Sequence, residues 1–190
     1  MTCHPSPSTL VTCFTKVTGV ASVMQAARIR GVLGRDYAGQ NCSVARSLEV
    51  LGERWTMLIL RDAFQGVTRF EAFGRRLGIA PNILTKRLRT LTDSGVLERR
   101  RYEERPERFE YVLTDAGKEL LPVLVDLMRW GDAHLAPKGA PAVLRHAGCG
   151  GELGAGAVCA TCGQPVTADD VEWYRGPGTH KTPGERMQPA

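Results

Sequence analysis

Between residues 43 and 94, apolar side chains recur every three or four positions, the spacing of helices that bury one face. Val44, Leu48 and Leu51 line a first helix, capped by Asn41 or Ser43 and broken by Gly52. A second pattern from Glu53 to Phe64 offers Trp55, Leu58, Ile59 and Ala63 to a core and ends at Gly66. A short third helix, Phe70 to Leu77, turns Phe70, Phe73 and Leu77 inward. Gly78 makes a tight turn. Pro81 then opens a fourth helix running to Ser94, at a position where its missing N–H has no partner to lose. On a helical wheel Leu84, Leu88 and Leu91 share one side, and Asn82, Thr85, Lys86, Arg89 and Asp93 share the other.

After Gly95 the pattern becomes that of two strands, Val96 to Tyr102 and Phe109 to Leu113, around a charged loop at 103–108 containing Pro106. Thr114 caps a last long helix with Asp115 in its first turn. That helix carries Leu120, Leu121, Leu124, Leu127, Met128 and the stretch Trp130 to Leu135, with Pro122 expected to kink it. Pro137, Gly139 and Pro141 mark a linker. The expected organisation is a loosely ordered tail at 1–34, a main domain at 35–136, a linker at 137–145, a glycine-rich segment at 146–167 and a fraying tail at 168–190. The fold class is α+β, mainly α.

Charge sharpens the picture. The net charge of +5 and pI near 9.0 permit an acidic partner without requiring one. Residues 75–101, however, hold eight basic groups (Arg75, Arg76, Lys86, Arg87, Arg89, Arg99, Arg100, Arg101) against two acids (Asp93, Glu98), a local excess of six. Such a cluster fits a polyanion-binding face, and equally a solvated surface with scattered arginines. No run of 18 apolar residues predicts a membrane span. In residues 1–23, Lys16 interrupts the apolar run and no basic residue precedes it, unlike a secretory signal, so a cytoplasmic location is expected. Met24 is a candidate alternative start, and Cys3, His4 and Cys13 are assigned no role.

Helix, glycine turn, basic-faced helix and charged hairpin follow the order of a winged helix-turn-helix. An α-helix fits the major groove of B-DNA and must show donors to base edges and phosphates. Asn82, Thr85, Lys86 and Arg89 are such donors. Arg105 and Arg108 on the hairpin tip suit an adjacent minor groove or backbone, and Arg69 and Arg75 suit phosphates.

Cys42-Ser-Val-Ala-Arg-Ser-Leu-Glu-Val-Leu-Gly-Glu-Arg-Trp55-Thr-Met-Leu-Ile-Leu-Arg61 resembles the opening of the HxlR-type transcription regulators, relatives of the MarR winged-helix proteins. Arg69-Phe-Glu-Ala-Phe, Gly78-Ile-Ala-Pro-Asn-Ile-Leu-Thr-Lys-Arg-Leu-Arg-Thr-Leu, Gly95-Val-Leu-Glu-Arg-Arg and Tyr111-Val-Leu-Thr-Asp-Ala-Gly117 continue the likeness over about residues 35–136. The resemblance implies a homodimer that binds double-stranded DNA and represses or activates nearby genes. It also implies pairing through the helix at 43–51 and the long helix after Thr114. That last helix has more large apolar residues than one small domain covers, which agrees with pairing. Two recognition helices would then read a pseudo-palindromic operator, with repression as the expected sign.

Two cysteine sites remain. Cys42 begins the first helix, where the helix dipole favours a thiolate, and some members of the resembling family sense oxidants at this position. The preferred reading is instead a small residue capping an interface. His146-x2-Cys149-x9-Cys159-x2-Cys162 offers two close ligand pairs for a structural Zn²⁺, with Gly150 and Gly163 after the second ligand of each half. Free thiols, a Cys159–Cys162 redox pair and a ribbon that has lost its metal are the competing readings.

The expectation is thus a winged helix-turn-helix with a long dimerisation helix and a small zinc-ribbon-like tail, regulating transcription and responding to an oxidant or small-molecule effector. Its rivals are a protein–protein interaction module and a thiol oxidoreductase using Cys159 and Cys162. No thioredoxin-like strand–helix–strand context, catalytic constellation or phosphate-cradling loop supports an enzyme.

Overall fold

A computed structural model describes Tyr37 and residues 40–187. The N-terminal expectations, including those for Cys3, His4, Cys13 and Met24, lie outside the described residues. The chain order is α1 (Ser43–Leu51), α2 (Thr56–Phe64), α3 (Phe70–Leu77), α4 (Pro81–Asp93), β1 (Leu97–Glu104), β2 (Glu107–Leu113), α5 (Asp115–Lys118), α6 (Leu121–Leu135), β3 (Ala142–His146) and β4 (Val171–Arg175), with one 3₁₀ turn at Ala155–Ala157.

The first core is built by the helical periodicity. Ile59, Phe73, Leu84 and Leu91 are fully buried where α2, α3 and α4 meet. Leu97 at the start of β1 closes it. Gly78 sits at φ 61°, a left-handed turn in which its N–H caps α3 on the Gly74 carbonyl before α4 begins at Pro81. On α2 the inward residues are Ile59 and Leu60. Leu58, expected inward, is 36 % exposed, and the helix starts later than expected, at Thr56 with Trp55 as its cap.

The hairpin is longer than expected. β1 and β2 pair antiparallel from Leu97↔Leu113 to Glu104↔Glu107, so the charged residues at 103–108 extend the ladder and only Arg105 and Pro106 turn. The Tyr111 N–H donates to the Thr68 carbonyl at 2.7 Å, anchoring the hairpin on the loop before α3.

Two corrections concern the carboxyl-terminal half. The long helix after Thr114 is divided. Thr114 caps only α5, accepting from the Gly117 N–H at 3.1 Å, and Pro122 begins α6 instead of kinking a continuous helix. The residues after Ala168 form β4 rather than fraying, and β4 pairs antiparallel with β3, which lies partly in the expected linker. A second core joins Leu121, Leu124 and Val125 of α6 to Leu144, Leu153, Val166 and Trp173. The ribbon-like segment is therefore packed on α6. The Gly156 N–H donates to Asp126 Oδ1 at 3.0 Å and Lys118 pairs with Asp169 at 2.9 Å across the same seam.

Candidate nucleic-acid interface and metal centre

The α4 surface divides as its sequence pattern requires. Leu84, Leu88 and Leu91 are buried, while Asn82, Thr85, Lys86 and Arg89 are exposed. Asn82 Oδ1 accepts from the Ile83 N–H at 2.9 Å, which leaves the amide N–H₂ free to donate. The Thr85 hydroxyl donates to the Pro81 carbonyl at 2.8 Å, so its single proton is already used. Arg69 caps α3 and lies over the Tyr102 ring at 4.9 Å, and Arg75 is exposed on α3. Arg105 is exposed at the hairpin tip, and Arg108, also exposed, pairs with Glu103 at 3.2 Å.

The basic excess of residues 75–101 is much reduced in three dimensions. Arg76 reaches Asp62, Arg87 reaches Glu53, Arg89 reaches Asp93, Arg100 reaches Glu98, and Arg101 lies between Glu104 and Glu107. Arg87 is turned inward, its side chain only 12 % exposed, so it adds little to the basic surface. Its Nε is buried with no acceptor among the described residues. The acids that neutralise these groups come largely from other stretches of sequence, which a count along one window cannot register. Lys86 and Arg75 stand without an ion pair among the described residues.

Asp62 is a feature that the sequence pattern did not reveal. It is fully buried on α2, accepts from Arg61 at 2.8 Å and Arg76 at 3.2 Å, and so ties α2 to α3. A buried carboxylate needs such partners, because removing one leaves an uncompensated charge.

His146, Cys149, Cys159 and Cys162 converge, with their ligand atoms all within 4.8 Å of one another. Cys149 Sγ lies 3.4 Å from both His146 Nδ1 and Cys159 Sγ, and Cys162 Sγ lies 3.3 Å from His146 Nδ1. Tetrahedral Zn²⁺ with Zn–S near 2.3 Å requires edges of about 3.8 Å between sulfurs and about 3.6 Å between sulfur and nitrogen. The four groups therefore fit a closed N/S₃ set.

Local backbone geometry favours thiolate. Gly150 and Gly163 both adopt positive φ, 71° and 70°, turning the chain after each second ligand as the sequence predicts. The Cys162 backbone N–H, helped by that of Thr161, pulls the Cys159 thiol down to about 6 against the effect of burial. The Gly151 N–H draws Cys149 the same way, but Cys159, burial and Cys162 together push that thiol above its ordinary value. Gly151 escaped the sequence reading. A Cβ there would stand 2.6 Å from Cys159 Sγ and 2.4 Å from Thr161 Oγ1, so only glycine fits beside the sulfur.

Cys42 precedes α1 as its cap residue, is exposed, and makes no side-chain capping bond. Neither Asn41 nor Ser43 is the cap. Large apolar residues are left uncovered on two helices: Val44 and Leu48 on α1, and Val123, Leu127, Trp130 and Leu135 on α6, are 43–70 % exposed. No helix among the described residues is long and apolar enough to cross a membrane.

Comparison with known proteins gives a consistent result. Residues 50–139 match the model of the HxlR-like helix-turn-helix family. An HTH-type transcriptional regulator of Mycobacterium tuberculosis, Rv3095, is 48 % identical over 137 residues, 72 % of this chain and 87 % of that protein. An HTH-type regulator of Methanothermobacter thermautotrophicus is 40 % identical over 91 residues, 47 % of this chain and 70 % of that protein. The crystal structure of PA1607, described as a candidate transcription factor, is 42 % identical, covers 68 % of this chain and 92 % of its own, and superposes with a TM-score of 0.56.

Proposed function

The chain belongs to the HxlR-like helix-turn-helix family of DNA-binding transcriptional regulators, and from that premise we propose that it is a cytoplasmic, non-catalytic homodimeric repressor of a pseudo-palindromic operator. The observation that carries this reading is α4, whose leucine side is buried while Asn82, Lys86 and Arg89 face solvent. Those three side chains read base edges in the major groove. Thr85, with its proton committed to Pro81, contributes only as an acceptor. Arg105 and Arg108 on the hairpin approach the neighbouring minor groove, and Arg69 and Arg75 hold phosphates.

Pairing supports two recognition helices one DNA turn apart, about 34 Å. Val44 and Leu48 of α1 and Val123, Leu127 and Trp130 of α6 form the pairing surface, since so many large apolar groups on two helices are rarely left in water. Cys42 belongs to the edge of this face as a structural residue.

Zn²⁺ held by His146, Cys149, Cys159 and Cys162 is structural, with no ligand position left open for chemistry. The fit of the edges supports it. The thiol-oxidoreductase rival loses support from the same geometry, because Cys159 sits against Cys149 and Cys162 against His146, so the two do not form an isolated pair.

Selection of bound fragments from genomic DNA, followed by mobility-shift titration, tests the reading. Selected sites should be pseudo-palindromic, affinity should fall steeply with salt, and Arg89→Ala should weaken binding by about 1–3 kcal/mol. Unchanged affinity in Arg89→Ala removes that residue from the interface. Metal analysis of the purified protein should return one zinc per chain.

A further inference from the structure

Along the seam between the α2–α3 pair, α6 and the β3–β4 sheet runs a groove with two unlike ends. One end, a cavity of about 590 Å³, is walled by Met57, Leu58, Leu127, Met128 and Trp173. The other, about 470 Å³, is lined by Arg175, His180 and Lys181. Arg61, Arg76, Pro141 and Met187 border both, which makes the two cavities continuous. Pockets of this size hold small organic ligands.

The polar groups are unevenly matched. Arg61, Arg76, Arg175 and Lys181 supply four cations, and their carboxylate partners are Asp62 and Glu185, leaving an excess of two positive charges. Lys181 has no ion pair among the described residues. Trp173 is 4 % exposed, and its indole Nε1–H is buried without an acceptor among the described residues. A buried donor left unmatched is costly and calls for an acceptor. Asp132, which lines the apolar end, is a further carboxyl group that reduces this excess to one when ionised, and burial pushes it up from its ordinary value.

We propose that this groove binds a small amphipathic carboxylate, its hydrocarbon part against Met57, Leu58 and Met128 and its carboxylate among the Arg61, Arg76 and Lys181 cations. The groove touches α3, which leads into α4, and α6, which carries the pairing stripe. Occupancy therefore bears on the spacing of the two recognition helices, an effector role that rests on the dimeric reading above.

The test is calorimetric titration of the full chain with octanoate and with its neutral isostere octanamide, followed in parallel by tryptophan fluorescence. Octanoate should bind at least tenfold more tightly than octanamide. Lys181→Glu should weaken octanoate roughly fivefold and leave octanamide unchanged. Gly131→Leu, which projects into open space at the apolar end, should abolish binding of both. No heat with octanoate, equal affinity for the two compounds, or unaltered binding in Gly131→Leu overturns the site. Mobility shift on the selected DNA reads the coupling separately. Octanoate binding with unaltered DNA affinity supports the groove and overturns its regulatory role, while loss of all DNA binding strikes the regulator reading and leaves the calorimetry to decide the groove.

Discussion

The two cores of this protein are made by different means. The α2–α3–α4 core is a periodic assembly. Ile59, Leu60, Phe73, Leu84, Leu88 and Leu91 come from helices whose spacing brings them together. The β3–β4 segment has Leu144, Leu153, Val166 and Trp173 as its large buried apolar residues, and it completes its core by borrowing Leu121, Leu124 and Val125 from α6. A segment of this size rarely buries enough surface to fold without a metal, a disulfide or a partner. Here the α6 surface, and on our proposal a zinc ion held by His146, Cys149, Cys159 and Cys162, supply what periodicity cannot. The first region should therefore tolerate loss of metal and the second should not.

Removing the metal gives the largest expected effect. Structural zinc in small domains contributes on the order of 10 kcal/mol of binding free energy at neutral pH, all of it linked to folding. Chelation, or Cys159→Ser, should raise amide hydrogen exchange across 142–175 towards the rate of an open chain, while α3 and α4 keep their protection. Equal loss of protection in both regions would break the comparison. Gly151→Val should mimic the cysteine variant although it removes no ligand, because its side chain would displace the Cys159 sulfur.

The reverse perturbation is Leu88→Ala. Leu88 is 1 % exposed beneath the DNA-facing side of α4. Truncating a fully buried leucine costs about 2–5 kcal/mol. Urea unfolding should show that loss, and the zinc content should stay at one per chain. A variant that sheds zinc as readily as it loses stability would show the two cores to be one cooperative unit.

How much of this was legible in the chain follows the same division. The limits of α1, α3 and α4, and the exposure of Asn82, Lys86 and Arg89, were readable because a helix translates spacing directly into faces. The convergence of His146, Cys149, Cys159 and Cys162 was readable too, since two close pairs with a glycine after each need little else. Three things were not. The division of the helix after Thr114 falls at Glu119 and Leu120, just before Pro122, and the sequence does not say whether such a proline kinks a helix or ends it. The β3–β4 pairing joins segments on either side of the ribbon, and strands of five residues, half-buried around one buried position, leave a weak alternation. The neutralisation of Arg76 by Asp62 and of Arg87 by Glu53 is a tertiary fact, so the basic window overstated the positive face.

Thr114 lies between the two regions and should show a smaller effect. Its hydroxyl oxygen accepts from the Gly117 N–H, and the hydroxyl donates to the Gly95 carbonyl at 2.6 Å, joining the end of α4 to the start of α5. Thr114→Ala removes the cap and should cost about 1 kcal/mol by thermal or urea unfolding. Thr114→Ser, which keeps the oxygen, should recover most of it. Loss confined to the β3–β4 side would place α5 with the second core.

The smallest expected effect on stability separates folding from binding within α4 itself. Arg89 and Asp93 form an i,i+4 pair at 3.4 Å, with side chains 81 % and 68 % exposed. An exposed pair of this kind contributes about 0.3–0.5 kcal/mol. Asp93→Ala should therefore change unfolding by less than about 0.5 kcal/mol. On DNA the sign reverses. The carboxylate holds Arg89 in an ion pair along the helix, so its removal frees the guanidinium for DNA. Operator affinity should rise slightly in Asp93→Ala and fall in Arg89→Ala, and in the double variant the gain should vanish, because Asp93 then has no arginine to restrain. A gain that survives in the double variant would assign the effect to general charge on the surface, and a loss of affinity in Asp93→Ala would mean that the pair holds Arg89 in its reading position.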